Sequence, residues 1–255
     1  MKKFIVIAAI LVFVIPLISM GCGVNAGPDI TQSYDNTNFT NVQVGSAFEV
    51  ELTPSATYSI GVTAPKNFMK HVKVEQSGST LRINADWNFW NWGFNRPQVK
   101  IAMPQLETLD LSGAVKATAT GFSSNQDFKM ILSGASTAEI NVEANDASFD
   151  ISGASKVTGD LKVHDVRVDL SGASTARLDG SGNNLNIQAS GASNADLAAL
   201  TANDARVDLS GASRAHMLPN GKLDVFLTGA SRLEYGGNAK LGTVEVSGGS
   251  TLSPS

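Results

Sequence analysis

A Ser/Thr-Gly-Ala/Gly tripeptide recurs eight times in this chain, with its glycine at Gly113, Gly134, Gly153, Gly172, Gly191, Gly211, Gly229 and Gly248. The spacings are 21, 19, 19, 19, 20, 18 and 19 residues. Self-similarity at a fixed short period means stacked equivalent units, and it decides the architecture before any local propensity does. Aligned on the Ser/Thr, the residue just before it is Leu111, Leu132, Ile151, Leu170, Ala189, Leu209, Leu227 or Val246. Three before it stand Leu109, Met130, Phe149, Val168, Ile187, Val207, Val225 and Val244. The column four before is polar throughout: Thr108, Lys129, Ser148, Arg167, Asn186, Arg206, Asp224 and Thr243. Apolar and polar positions therefore alternate with period two, the signature of a strand with one buried face. A shorter alternation follows each motif, with inward positions such as Ala138 and Ile140, Ala176 and Leu178, Ala195 and Leu197, and Ala215 and Met217.

Each repeat reads as strand, Gly-containing bend, strand and return turn. No single repeat can bury its own apolar face, whereas a stack joins those faces into one core. The predicted fold class is all-β: a β-solenoid, parallel β-helix-like, of about eight coils with ~19-residue repeats, successive coils lying about 4.8 Å apart. Glycine at the bend gives access to backbone angles closed to other residues, and the neighbouring alanine lets coils approach. The first serine of each motif forms a column of hydroxyls, read as a structural ladder. A catalytic serine needs one unique base, not eight equivalents.

The chain opens with Met1, Lys2 and Lys3, followed by an uncharged apolar run of fifteen residues from Phe4 to Ile18. That run is short for a membrane span and suits a signal-peptide core. It ends in Ser19-Met20-Gly21-Cys22, and Cys22 is the only cysteine. The junction resembles a bacterial lipobox, although Ser19 stands where that pattern prefers an aliphatic residue; the resemblance implies a diacylated Cys22. A single cysteine excludes an internal disulfide, and three histidines leave little for a His-based metal cluster. Loss of Lys2 and Lys3 with the signal takes the net charge from −4 to −6, against general nucleic-acid binding. The expected organisation is a signal at 1–21, a flexible tether at 22–37, an N-terminal β section at 38–105 and the repeat solenoid at 106–252. The expected location is the cell envelope, lipid-anchored, on the periplasmic or outer-surface face of the outer membrane.

The 38–105 section carries no Ser-Gly-Ala copy but alternates like strand. Its expected inward residues are Val42, Val44, Phe48, Val50, Leu52, Val72, Val74, Leu81, Ile83, Val99 and Ile101. It is expected to form antiparallel strands that cap or extend the first coils, because an open solenoid end exposes strand edges and core. The stretches Phe39-Thr40-Asn41-Val42, Phe48-Glu49-Val50-Glu51-Leu52, Val72-Lys73-Val74-Glu75, Leu81-Arg82-Ile83 and Val99–Leu106 lead into the first Leu111-Ser112-Gly113-Ala114. Together with the repeat series, they resemble the head GIN domain family, also called the putative auto-transporter adhesin domain. The resemblance implies a β-solenoid in bacterial cell-envelope proteins, often lipoproteins. It brings no catalytic or ligand residues.

The densest local signal is Trp87-Asn88-Phe89-Trp90-Asn91-Trp92-Gly93-Phe94, which holds all three tryptophans. Aromatic-rich exposed loops bind carbohydrate faces, partner proteins or membrane interfaces. Trp87, Phe89, Trp90, Trp92 and Phe94 are therefore the candidate binding residues, the alternative being rings folded over an apolar solenoid end. The column two before each Ser places Asp150 and Asp169 on adjacent coils, where like charges repel unless neutralised. Calcium would neutralise them; Arg167 and Arg206, on the same face, do so without an ion. His71, His164 and His216 are isolated from one another, and strand alternation would send Asp165 to the face opposite His164. No phosphate loop, nucleophile elbow or metal signature is present. No cofactor and no catalytic residue is expected. The reading is a non-catalytic envelope lipoprotein presenting a solenoid for adhesion or binding, with a glycan or an envelope protein as partner. The alternatives are a polysaccharide-cleaving β-helix enzyme, which would need an irregular charged cluster and long loops, and a structural component of the envelope.

Overall fold

The computed structural model describes residues 27–86 and 96–255. The N-terminal part holds β1 (Asp29–Tyr34), β2 (Asn41–Val44), β3 (Glu49–Pro54), β4 (Ser59–Pro65), the single helical turn α1 (Lys66–Met69), β5 (Val72–Ser77), β6 (Thr80–Ala85) and β7 (Gln98–Met103). Each repeat then contributes two strands. These are β8 (Thr108–Leu111) and β9 (Lys116–Ser123), β10 (Phe128–Leu132) and β11 (Thr137–Glu143), β12 (Ala147–Ile151) and β13 (Lys156–Lys162), and β14 (Asp165–Leu170) and β15 (Thr175–Ser181). After them come β16 (Asn184–Ala189) with β17 (Asn194–Leu197) and β18 (Leu200–Thr201), β19 (Asp204–Leu209) and β20 (Arg214–Met217), β21 (Lys222–Leu227) and β22 (Arg232–Tyr235), and β23 (Lys240–Val246) and β24 (Thr251–Pro254).

The first strand of every coil joins an 11-stranded sheet and the second a 13-stranded sheet, so the solenoid is a flattened two-sheet stack. Neighbouring repeat strands pair in parallel and in the register of the sequence alignment, for example Met130 with Phe149 and Phe149 with Val168. The two apolar columns meet between the sheets: Leu109, Met130 and Val168 are 0% exposed, and Leu170 is 3% exposed. Where a repeat departs from 19 residues, the strand shows it. Gly121 sits as the extra residue of a bulge in β9, at φ 83°. The 20-residue repeat after Gly191 breaks its second strand into β17 and β18, which both pair with β15.

The bend explains the motif. In seven successive coils the residue after the glycine donates its N–H to the previous coil's glycine carbonyl, as Ala173 does to Gly153 at 2.8 Å. Gly172 holds φ +75°, and a Cβ there would lie 2.6 Å from that same Gly153 oxygen. Only glycine permits both the angle and the approach. In three coils the serine after the alanine closes the bend from inside. Ser136, Ser193 and Ser213 are at most 1% exposed and donate Oγ–H to the carbonyls of Ser133, Ser190 and Ser210 at 3.0, 2.6 and 2.8 Å. The first serine of the motif is only half-buried and supplements a ladder built by backbone, as Ser152 does to Leu132 O at 3.3 Å. The column of fully buried hydroxyls is thus the one three residues later.

The N-terminal section extends the stack and closes it. β2 lies between β6 and β8, and β3 between β7 and β9, all in parallel, so two further strand pairs continue the solenoid. Antiparallel strands then finish each sheet: β4 on β7 and β1 on β4 in one, β5 on β6 in the other. Buried Phe48 and Phe68 meet edge to face at 6.0 Å beneath this cap. Two expectations need correction. Residues 29–34, expected within a tether, form strand β1, because the free edge of β4 offers a complete ladder and Thr31 meets Thr63 across it at 2.8 Å. Val72 and Val74 are only half-buried, because β5 is an edge strand at the end of its sheet.

Candidate functional site

Two of the sequence-based candidates, Cys22 and the aromatic set Trp87, Phe89, Trp90, Trp92 and Phe94, lie outside the described residues. In the sequence the aromatic set falls between β6 and β7, and Arg96, the first described residue after it, donates Nη1–H to Ala114 O at 3.1 Å.

Among the described residues, an open groove of about 560 Å³ crosses successive coils at the start of β10, β12, β14, β16, β19 and β21. Its rim is a ladder of Asp127, Asp146, Asp165 and Asp204, each six before its motif serine, with Asn184 and Lys222 in the other two places. Each carboxylate accepts a backbone N–H from the next coil on Oδ1: Asp146 N–H to Asp127 at 3.3 Å, Asp165 N–H to Asp146 at 3.1 Å, Asn184 N–H to Asp165 at 3.1 Å and Lys222 N–H to Asp204 at 2.7 Å. The ladder therefore ties the return turns together, and its second oxygens make no hydrogen bond among the described residues. Arg167 and Arg206 face it from the same strands, with Val166, Leu185 and Ala205 beneath. The result is a polar trough with repeating acceptors, two guanidinium donors and an apolar floor. Sequence reasoning missed this ladder. It was available as one more column of the repeat alignment.

The outer-face acidic column is partly neutralised by basic side chains. Asp150 and Asp169 do pair in register on adjacent strands. Arg167 forks onto Asp169 at 2.8 and 3.2 Å and reaches Gln188 at 3.4 Å, while Arg206 lies 4.2 Å over the Phe226 ring. At the far end of that column, burial raises the Asp110 carboxyl above its ordinary value even though Gln43 donates to it at 3.0 Å. Asp224 is held below its ordinary value by the Lys222 ammonium, which bonds it at 2.7 Å, and by the Thr243 N–H.

His164 differs from expectation. Its Nδ1 lies 3.2 Å from Asp165 Oδ1 and 3.5 Å from Asp146 Oδ1, although alternation would have separated His164 from Asp165. The reason is that His164 is in the return turn, before β14 begins, where period two does not apply. It occupies a place that asparagine holds in neighbouring coils: its N–H bonds Asn145 O at 2.6 Å, and Asn183 N–H bonds its carbonyl at 2.5 Å. These three side chains offer metal-type donors within 4.8 Å of one another. They are solvent-accessible, and both Oδ1 atoms already accept hydrogen bonds from backbone or amide groups.

A two-sheet parallel solenoid with a surface that repeats coil by coil defines a β-solenoid repeat protein. The chain belongs to the family described as "Putative auto-transporter adhesin, head GIN domain", whose model matches residues 38–239. The fold is also that of solved bacterial proteins. One is a putative lipid binding protein from Parabacteroides distasonis, 16% identical, TM-score 0.78, with 90% of this chain and 97% of that chain covered. A putative adhesin from the same species is 15% identical, TM-score 0.78, covering 90% and 98%. A putative adhesin from Bacteroides fragilis is 15% identical, TM-score 0.68, covering 89% and 97%. No curated protein matches the sequence.

Proposed function

We propose that this protein is a non-catalytic binding protein of the bacterial cell envelope, held to the membrane by lipid on Cys22 and presenting its solenoid for adhesion to a glycan or an envelope partner. The observation that carries this reading is the coil-to-coil equivalence of the groove: the same acceptor recurs along the stack axis at strand spacing. A ladder of equivalent groups suits an extended, repeating ligand, whereas catalysis needs one unique constellation. The anchor rests on the charged start, apolar run and Gly21-Cys22 junction. The aromatic set at 87–94 is a second proposed contact, on its composition.

The test uses the full-length chain in detergent on a glycan array, on envelope extracts and on lipid vesicles. The vesicle arm is included because one structural relative is named a lipid-binding protein. Replacing the groove's two guanidinium donors with carboxylates, Arg167→Glu with Arg206→Glu, should abolish or redirect binding, since both side chains line the groove and are exposed. Binding that ignores both this pair and Trp90→Ala with Trp92→Ala would overturn the assignment. So would release of shortened sugar chains from a bound polysaccharide. A mature N-terminus at Gly27 without lipid, by mass spectrometry, would end the anchor reading.

A further inference from the structure

The two ends of the solenoid are unlike. The N-terminal end is closed by β1, β4, α1 and β5. At the other end β23 is the last strand of its sheet and is exposed along its whole length. Of the four large hydrophobic side chains exposed among the described residues, three lie on β23: Leu241 at 46%, Val244 at 41% and Val246 at 44%. These are not stray surface groups. They continue the inner columns of Leu223, Val225 and Leu227, with which they pair. In this structure β23 thus presents a core layer open to water and a row of unpaired backbone groups, a combination that natural proteins ordinarily blunt.

From this edge we infer that β23 is a self-association surface, pairing antiparallel with β23 of a second copy across a two-fold axis. Its sequence is self-complementary in one register. Setting Gly242 opposite the second copy's Thr243 places Leu241 opposite Val244 and Lys240 opposite Glu245. The two-fold makes each of the latter contacts twice. The bulge makes this register possible. In an uninterrupted strand Lys240 and Glu245 point to opposite faces, and so do Leu241 and Val244. Here one residue, Asp224, opposes both Gly242 and Thr243, so the strand gains a residue and the phase shifts. Leu241 and Val244 consequently both point inward, and Lys240 and Glu245 both point outward. In the two-fold pair the extra residues sit opposite each other, and the ladder closes without a gap. Neither Lys240 nor Glu245 has an ionic partner among the described residues, whereas the neighbouring Lys222 is taken by Asp224. The interface is isologous and therefore stops at two copies, which removes the exposed edge without building a fibre. Its footprint, about seven residues long and two sheets wide, is on the order of 500 Å² per copy, at the small end for specific dimers. A weak, concentration-dependent dimer is expected, favoured where lipid anchoring confines the copies.

Sedimentation of the full-length chain in detergent over a wide concentration range tests this. Wild type should pass from monomer to dimer. Lys240→Glu and Glu245→Lys should each weaken association roughly tenfold, since two cross-strand pairs become repulsive at once. The double reversal should restore it to within about threefold of wild type. In the wild-type dimer, a zero-length carbodiimide cross-link should join Lys240 to Glu245. That link must be intermolecular, because the two residues stand about 16 Å apart along one strand. A chain that stays monomeric throughout would overturn the proposal and leave the edge to another partner. So would dimers indifferent to the reversals, the result expected if copies associate through the N-terminal apolar segment, or a double reversal that fails to restore them.

Discussion

The bend glycine offers a direct measure of how closely the coils approach. In Gly172→Ala two costs add. The residue holds φ +75°, which an L side chain tolerates poorly, at roughly 1–2 kcal/mol. The new Cβ would also lie 2.6 Å from the Gly153 carbonyl oxygen, well inside contact distance. That oxygen is the acceptor for Ala173 N–H at 2.8 Å, so relieving the clash lengthens an inter-coil hydrogen bond worth about 0.5–1.5 kcal/mol net. With some loss of packing around the bend, the total is about 2–4 kcal/mol. Gly78→Ala supplies the control, since Gly78 also has positive φ, +59°, but nothing lies within 4 Å of a Cβ there. It should cost only the conformational part. For a chain of this size, about 1 kcal/mol moves the melting midpoint by about 2–4 °C, so Gly172→Ala should melt roughly 6–10 °C low and Gly78→Ala roughly half that. Thermal unfolding followed by far-ultraviolet circular dichroism is sufficient. Equal shifts in the two variants would refute the claim that the motif glycine is required by inter-coil approach as well as by backbone angle.

Three further outcomes are expected. Ser193→Ala removes the Oγ–H···O bond to Ser190 and should lower stability by about 1 kcal/mol, whereas Ser155→Ala deletes a buried hydroxyl that has no partner and should be neutral or slightly stabilising; denaturant midpoints distinguish them. Leu170→Asp places an unpaired carboxylate at a 3% exposed position between the sheets and should cost several kcal/mol, so a variant melting like wild type would mean the register is wrong. The third concerns acid. Asp224 is held below its ordinary value of 3.8 by Lys222 and by the Thr243 N–H, so the folded state binds its proton less tightly than the unfolded chain does. Its contribution is therefore present above that ordinary value and lost as pH falls through the lower folded one. Asp224→Asn should accordingly lose less of its melting midpoint than wild type does between about pH 7 and about pH 3.

Much of this protein was legible because its information is periodic. Period two within Leu109–Leu111 or Val168–Leu170 states which face is buried, and period nineteen states that the faces stack; neither needs coordinates. Register followed, because a one-residue slip would expose the whole apolar column. Features without a period were decided by tertiary structure. The insertion of β2 between β6 and β8, and of β3 between β7 and β9, reverses the order of chain and space, and no local signal encodes that. β1 became a strand only because β4 had an edge to fill. His164 meets Asp165 because the strand begins one residue later than alternation assumes. The Asp127–Asp146–Asp165 ladder needs both halves: the sequence supplies a carboxylate at each return turn, but its role as acceptor for the next coil appears only when the turns are stacked. The bulge at Gly242 and Thr243 goes furthest in this direction. One additional residue, unremarkable in the sequence, reverses which side chains face the core beyond it, because a strand's two faces differ by a single step.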